Sequence, residues 1–205
     1  MPIRDPDGHY FNSVISVGTS PSQRYDKAHL VPFGEFVPWG FHWIVKTVAI
    51  PMSDFSLGTE NPKPLSLAGQ HIAPNICWED AFGEEIIRQL PEATLLVNVS
   101  NVAWFGDSLA PSQHLQISRM RAIETGRTML RSTNTGMTAI IDPHGKVVAQ
   151  LPQFTEGVLQ GEARGYTGTS PYVRWGNAPI VVVSIVLVAL AFHRRRAFGT
   201  RRESR

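Results

Sequence analysis

The chain has one cysteine, Cys77, and its setting suits nucleophilic chemistry. The stretch HIAPNIC (71–77) reads as an apolar strand ending at the sulfur, followed by Trp78, Glu79 and Asp80 and then by a helical pattern. A turn from strand into helix exposes a nucleophile and aims backbone N–H groups at it, where they can hold an oxyanion. A helix N-terminus beside the sulfur also favours the thiolate. Cys77 equally fits the last core residue of a strand, a common place for a free cysteine.

A second cluster, YDKAHLVPFGEFVPW (25–39), sets Lys27, His29 and Glu35 among aromatic and proline positions, in a stretch too irregular for a plain strand or helix. A buried lysine there can stabilise an oxyanion, and a buried glutamate can act as a base or position one. A solvated loop with ordinary surface charges is the plain alternative. A third stretch, NVSNVAWFGDS (98–108), carries Trp104 and follows an apolar strand, as binding loops often do. Its Asn98-Val99-Ser100 is formally a glycosylation sequon, a match common by chance. The histidines show no ligand spacing, with no HExxH and no CxxC, so neither a metal nor another cofactor is expected.

The elements that must position these groups alternate in type. NSVISVG (12–18) alternates as a strand does, and residues 19–40 are rich in turn formers and charge and read as loop. Residues 80–90 read as a helix with Phe82, Ile86, Ile87 and Leu90 on one face. TLLVNVS (94–100) is an apolar strand. Residues 111–126 read as a helix with Pro111 near its start and Gly126 as its C-cap. Residues 128–151 read as strands, the last two joined at a Pro-His-Gly turn, and 165–176 as a linker. Strands interleaved with helices predict an α/β layered domain that needs further strands upstream to complete its sheets.

Charge is divided along the chain. From His193 onward six arginines meet one acid, Glu203; the rest holds 13 of the 19 basic and 16 of the 17 acidic residues, a net of −3. A mildly acidic body argues against nucleic acid as a partner. Residues 178–192 (APIVVVSIVLVALAF) carry no charge and span ~22 Å as a helix, or ~27 Å counted from Trp175, against a hydrocarbon core of ~30 Å. Trp175 and Tyr172 suit one membrane interface and Arg194–Arg196 the other, and the positive-inside rule puts the arginine-rich tail in the cytoplasm. A buried strand or core helix is the alternative for this run. Residues 1–10 lack the apolar stretch of a signal peptide.

YDKAHLVPFGEFVPW, NICWED, NVSNVAWFGDS, QHLQISRMRAIETGR, RSTNTGMTAIIDPHGKVVAQLPQF and TGTSPYVRWG, in that order, resemble the apolipoprotein N-acyltransferase family, a branch of the nitrilase superfamily. The resemblance covers about residues 10–195. It implies part of a nitrilase-like αββα sandwich over residues 1–165, a linker at 166–177, one C-terminal transmembrane helix at 178–193 and a basic cytoplasmic tail at 194–205. The body would face the periplasm of a bacterium, with the helix in its inner membrane. The family's nucleophile falls on Cys77, its catalytic lysine on Lys27 and an additional essential glutamate on Glu35. Lys27 and the backbone N–H of Trp78 would hold the oxyanion, with Glu79 and Trp104 adjacent to the site.

The reaction so implied passes an acyl chain from a phospholipid to the cysteine as a thioester, then to the α-amine of an apolipoprotein's diacylglyceryl-cysteine. One departure stands out. The general-base glutamate of the superfamily lies upstream of the lysine, and no glutamate precedes Lys27 here. The chain therefore reads as a C-terminal fragment, inactive alone, that needs an upstream N-terminal polypeptide. Two other readings remain: a soluble amidase of the same superfamily, with 178–192 in its core, and a catalytically dead membrane-anchored module.

Overall fold

Short alternating segments in the first 30 residues pair into a sheet before any helix appears. The computed structural model describes residues 1–18, 21–40 and 54–202, with side chains through Arg195. Strands β1 (Pro2–Arg4), β2 (Tyr10–Ile15) and β3 (Arg24–Asp26) form an antiparallel sheet, with Val14 opposite Tyr25. The stretch expected as loop therefore holds a strand, because β2 offers its backbone groups to residues 24–26. Residues 19–20 of that stretch lie outside the described residues, as do the basic tail's last three residues and the side chains of Arg196, Arg201 and Arg202.

The larger sheet has six strands in sequence order: β4 (Leu65–Leu67), β5 (Gln70–Ile76), β6 (Leu95–Ser100), β7 (Thr128–Thr133), β8 (Ala139–Ile141) and β9 (Val147–Gln150). β5, β6 and β7 run parallel and the outer pairs antiparallel. β5 tolerates Pro74 because β4 pairs with it only through Ile72, so the missing N–H faces no neighbouring strand.

Strand alternation sends the two faces of this sheet to different neighbours. One face sets Ala73, Leu96, Met129 and Ile141 against Ile86, Leu115 and Ala122, forming the main core. The other sets Ile72, Ile76 and Val99 against Val14 and Tyr25 of the small sheet. Helix, large sheet and small sheet thus stack as the layers of a nitrilase-like sandwich. Helix α2 (Ala110–Thr125) lies on β7, opens with Pro111 in its first turn and ends at Gly126 in the left-handed conformation, where the N–H reaches back to the last turn.

Residues 80–90 do not form the single helix their periodicity predicts. A 3₁₀ turn (Cys77–Ala81), the four-residue α1 (Gly83–Ile86) and a second 3₁₀ turn (Ile87–Gln89) follow one another. Glu79 and Asp80 turn inward to buried partners, which pulls the first turn off the helix axis. The linker is also structured. Ser170 caps α3 (Pro171–Trp175), whose Val173 packs against the main core.

α4 (Ala178–Arg202) extends well past the charged boundary and spans ~37 Å. Among the described residues it is the one helix long and apolar enough to cross a membrane. Its apolar side chains Ile180 and Leu187 are more than 60% exposed.

Candidate active site

The carboxyl ends of parallel strands are where backbone leaves the sheet and side chains converge. Cys77 sits at this end of β5 with φ +57°, in the left-handed region that a residue with a Cβ occupies at a cost of ~1–2 kcal/mol. Two side chains hold it there. Its carbonyl accepts from Asn98 Nδ2 at 2.9 Å and from His114 Nε2 at 3.2 Å.

Glu79 ties this elbow to the lysine segment. Oε1 accepts from the backbone N–H of Ala28 (2.8 Å) and His29 (3.0 Å), and Oε2 from the Tyr25 hydroxyl (2.9 Å) and the Ile76 N–H (2.7 Å). Both oxygens are thereby committed to the protein. Burial pushes the Glu79 carboxyl up, against the pull of these four donors, and burial with the Glu79 charge pushes the Tyr25 phenol up as well. The Trp78 indole donates to the His29 carbonyl at 3.1 Å, a further tie between the two segments.

Lys27 is 1% exposed, and its ammonium meets Glu35 Oε2 at 2.6 Å. Glu35 also accepts from Asn12 Nδ2 (2.8 Å) and from the Val31 N–H (2.8 Å), so it is a fixed counter-ion held from β2 and from its own loop. The backbone of Lys27 donates to Asn12 and accepts from Gly58. Gly58 admits no side chain, since a Cβ would run into the Asp26 carbonyl.

Burial pushes the Cys77 thiol up; the positive charge of Lys27 and the Trp78 N–H pull it back only in part. A thiol raised in this way is chiefly protonated near neutrality, so attack requires a base or a cation that strengthens in the transition state. On the other side of the sulfur, Sγ lies 4.0 Å from the Asn101 carbonyl. Asn101 and Asn134 brace the loop that carries Trp104, and Trp104 itself stands 81% exposed. Cys77, Trp78 and Glu79 are thus brought to Lys27 and Glu35 at one end of the sandwich, with Trp104 on the loop beyond the sulfur. Among the described residues no group of His, Cys, Asp and Glu is placed to hold a metal.

A polar cluster that the motifs did not single out lies under the elbow. The parallel register sets Asn75, Asn98 and Arg131 in one row across β5, β6 and β7. α2 adds His114 and Ser118 above that row, and Asp80 joins from the elbow. Asp80 accepts from His114 (2.7 Å), Ser118 (2.6 Å) and Arg131 (3.3 Å). Asn98 Oδ1 accepts from Arg131 at 2.8 Å and from the Ser100 hydroxyl at 2.6 Å. Burial pulls the Arg131 guanidinium down, against the support of Asp80. The available signal was polar residues on otherwise apolar strands and on the buried stripe of a helix.

Known proteins match both fold and sequence. The carbon-nitrogen hydrolase family model covers residues 4–171. A carbon-nitrogen hydrolase from Helicobacter pylori G27 superposes with a TM-score of 0.56 at 15% identity, covering 76% of this chain and 57% of that one. The C. elegans NitFhit protein gives 0.55 at 21%, covering 73% and 37%. Among sequence relatives, the apolipoprotein N-acyltransferase of Nitrosomonas europaea is 56% identical over 200 residues, 97% of this chain and 40% of that protein. The enzyme of the same name from Ralstonia nicotianae is 53% identical over 93% of this chain and 38% of its own length. The chain spans about 40% of the length of these curated relatives. With its sheets layered as in the nitrilase fold, the chain belongs to the carbon-nitrogen hydrolase family and has apolipoprotein N-acyltransferases as its relatives.

Proposed function

We propose that this chain carries the acyl-accepting half of an apolipoprotein N-acyltransferase site, with Cys77 as the acyl carrier. The observation that carries the reading is a strained elbow that puts Cys77 beside the buried Lys27–Glu35 pair, in a body followed by an apolar helix. The Cys77 thiolate attacks the ester carbonyl of a phospholipid. The C–S bond forms, the oxyanion rests against Lys27 and the Trp78 N–H, and collapse breaks the ester C–O bond to release a lysophospholipid that takes up a proton. The α-amine of a diacylglyceryl-cysteine then attacks the thioester, the C–N bond forms, the amine's proton passes to the base that had taken the thiol proton, the C–S bond breaks and the thiolate returns.

Glu35 holds Lys27, Glu79 joins the two loops, and Trp104 faces the acyl chain from its exposed loop. Residues 1–165 form the hydrolase-like body, 166–177 the connection, 178–193 the membrane span and 194–205 the cytoplasmic tail, with the body on the periplasmic side of the inner membrane. An exposed apolar helix favours a lipid substrate over the soluble amide of an amidase.

The carboxylates around Cys77 are committed, Glu35 to Lys27 and Glu79 to four donors. The proton on the thiol is accordingly taken by a residue of an upstream polypeptide, and this chain alone does not turn over. The test supplies labelled phospholipid and a diacylglyceryl lipopeptide to the chain in micelles, with and without a fused N-terminal portion from the N. europaea relative. Transfer should need the fusion and vanish with Cys77→Ala. Turnover by the chain alone refutes the need for an upstream partner, and transfer that survives Cys77→Ala refutes the nucleophile.

A further inference from the structure

We propose that Asn98 and His114 are positioning residues for acyl transfer, acting through the Cys77 carbonyl to aim the Trp78 N–H at the oxyanion. The inference rests on Cys77 being the nucleophile.

The peptide joining Cys77 to Trp78 is planar, and in a trans peptide the C=O and N–H point in opposite directions. Whatever holds the carbonyl inward therefore turns the N–H outward. Two side chains hold it, Asn98 Nδ2 at 2.9 Å and His114 Nε2 at 3.2 Å, both on residues less than 10% exposed. They also stabilise the left-handed φ of Cys77, a conformation its side chain disfavours.

Proton direction in the cluster leaves no other arrangement. Arginine only donates. Arg131 meets Asn98 at Oδ1, which forces the Asn98 amide nitrogen toward Asn75 Oδ1 and the Cys77 carbonyl. Arg131 and Ser118 both meet Asp80, which acts as acceptor, so His114 Nε2, facing Asp80 and the Cys77 carbonyl, carries its hydrogen there. Arg131 thus sets the polarity of a relay that ends on one peptide plane.

Alkylation separates this role from simple support of the fold. Iodoacetamide reacts with the thiolate by displacement and builds no oxyanion. p-Nitrophenyl acetate reacts with the same thiolate through a tetrahedral oxyanion: the C–S bond forms, the carbonyl electron pair moves to oxygen, and collapse expels p-nitrophenolate. Both rates scale with the thiolate fraction, so their ratio cancels it. Cys77 is the only cysteine, so both reagents report one site.

The 205-residue chain in micelles and its His114→Ala, His114→Met, His114→Gln and Asn98→Ala variants are compared by the p-nitrophenolate burst and by alkylation. The Ala and Met variants should lose ~10- to 100-fold in the acylation-to-alkylation ratio, less than deletion of an oxyanion donor itself, and His114→Gln should stay within ~3-fold of wild type. His114→Met fills the volume and keeps the question answerable where alanine unfolds the chain. A ratio unchanged in a variant that still alkylates overturns the proposal, as does a proportional loss of both rates in every variant, or a wild-type chain that alkylates but gives no burst. Should phospholipid transfer by the fused enzyme fail while the ester ratio falls as stated, the lipid substrate is refuted and the positioning role is supported.

Discussion

Glu79→Gln isolates the strut between the elbow and the lysine loop. The wild-type carboxylate is 3% exposed and accepts four hydrogen bonds, three from backbone N–H groups and one from Tyr25. Glutamine matches the shape but keeps one accepting oxygen; its NH₂ faces two donors. Two buried donors left unpaired cost ~1–3 kcal/mol each. Relief of the buried charge, whose burial pushes the carboxyl up, returns part of that. The net loss is about 2–4 kcal/mol. For a chain of this size, each kcal/mol moves the melting temperature by about 2–4 °C, so Tm should fall by about 5–15 °C.

The assay is a near-ultraviolet circular dichroism melt of the chain in micelles, with Trp78 as the local reporter because its indole bonds the same loop. Cys77 alkylation should accelerate in the variant, since loosening the 76–79 turn opens the sulfur to solvent. A Tm within about 2 °C of wild type, together with unchanged alkylation, would refute the strut, since even one unpaired donor costs more than that.

Raised by burial, the Cys77 thiol should alkylate with a pH midpoint above the ordinary 9.0, and Lys27→Met should move that midpoint higher by removing the charge that favours the thiolate; a midpoint below 9.0 refutes this. Gly58→Ala should destabilise the chain by about 1–3 kcal/mol in a urea titration, because the new methyl meets the Asp26 backbone and disturbs the Gly58–Lys27 hydrogen bond. Truncation after Gly176 should release the body from membranes into the alkaline-wash supernatant; retention in the pellet would place the anchor elsewhere.

Much of this molecule was legible in the order of its residues. Cys77 at a strand end, Lys27 and Glu35 eight positions apart, the α2 helix with its Gly126 cap, the strands about residues 10, 70, 95 and 128, and the uncharged run at 178–192 all follow from local pattern, because period, caps and apolar length are properties of neighbouring residues. Other features depended on which strands came to lie side by side. β3 is three residues long and exists because β2 receives it. The 80–90 helix broke into turns because Glu79 and Asp80 found partners more than 25 residues away. Glu79, read beside the oxyanion, has both oxygens taken by residues 25–29 and 76. The row of Asn75, Asn98 and Arg131, and His114 over it, exists only through parallel register and helix docking. Long-range pairing decides which buried polar groups meet, and sequence spacing carries no record of it; so the chain's order singled out Cys77 as the candidate, and the fold alone determined what holds the peptide behind it.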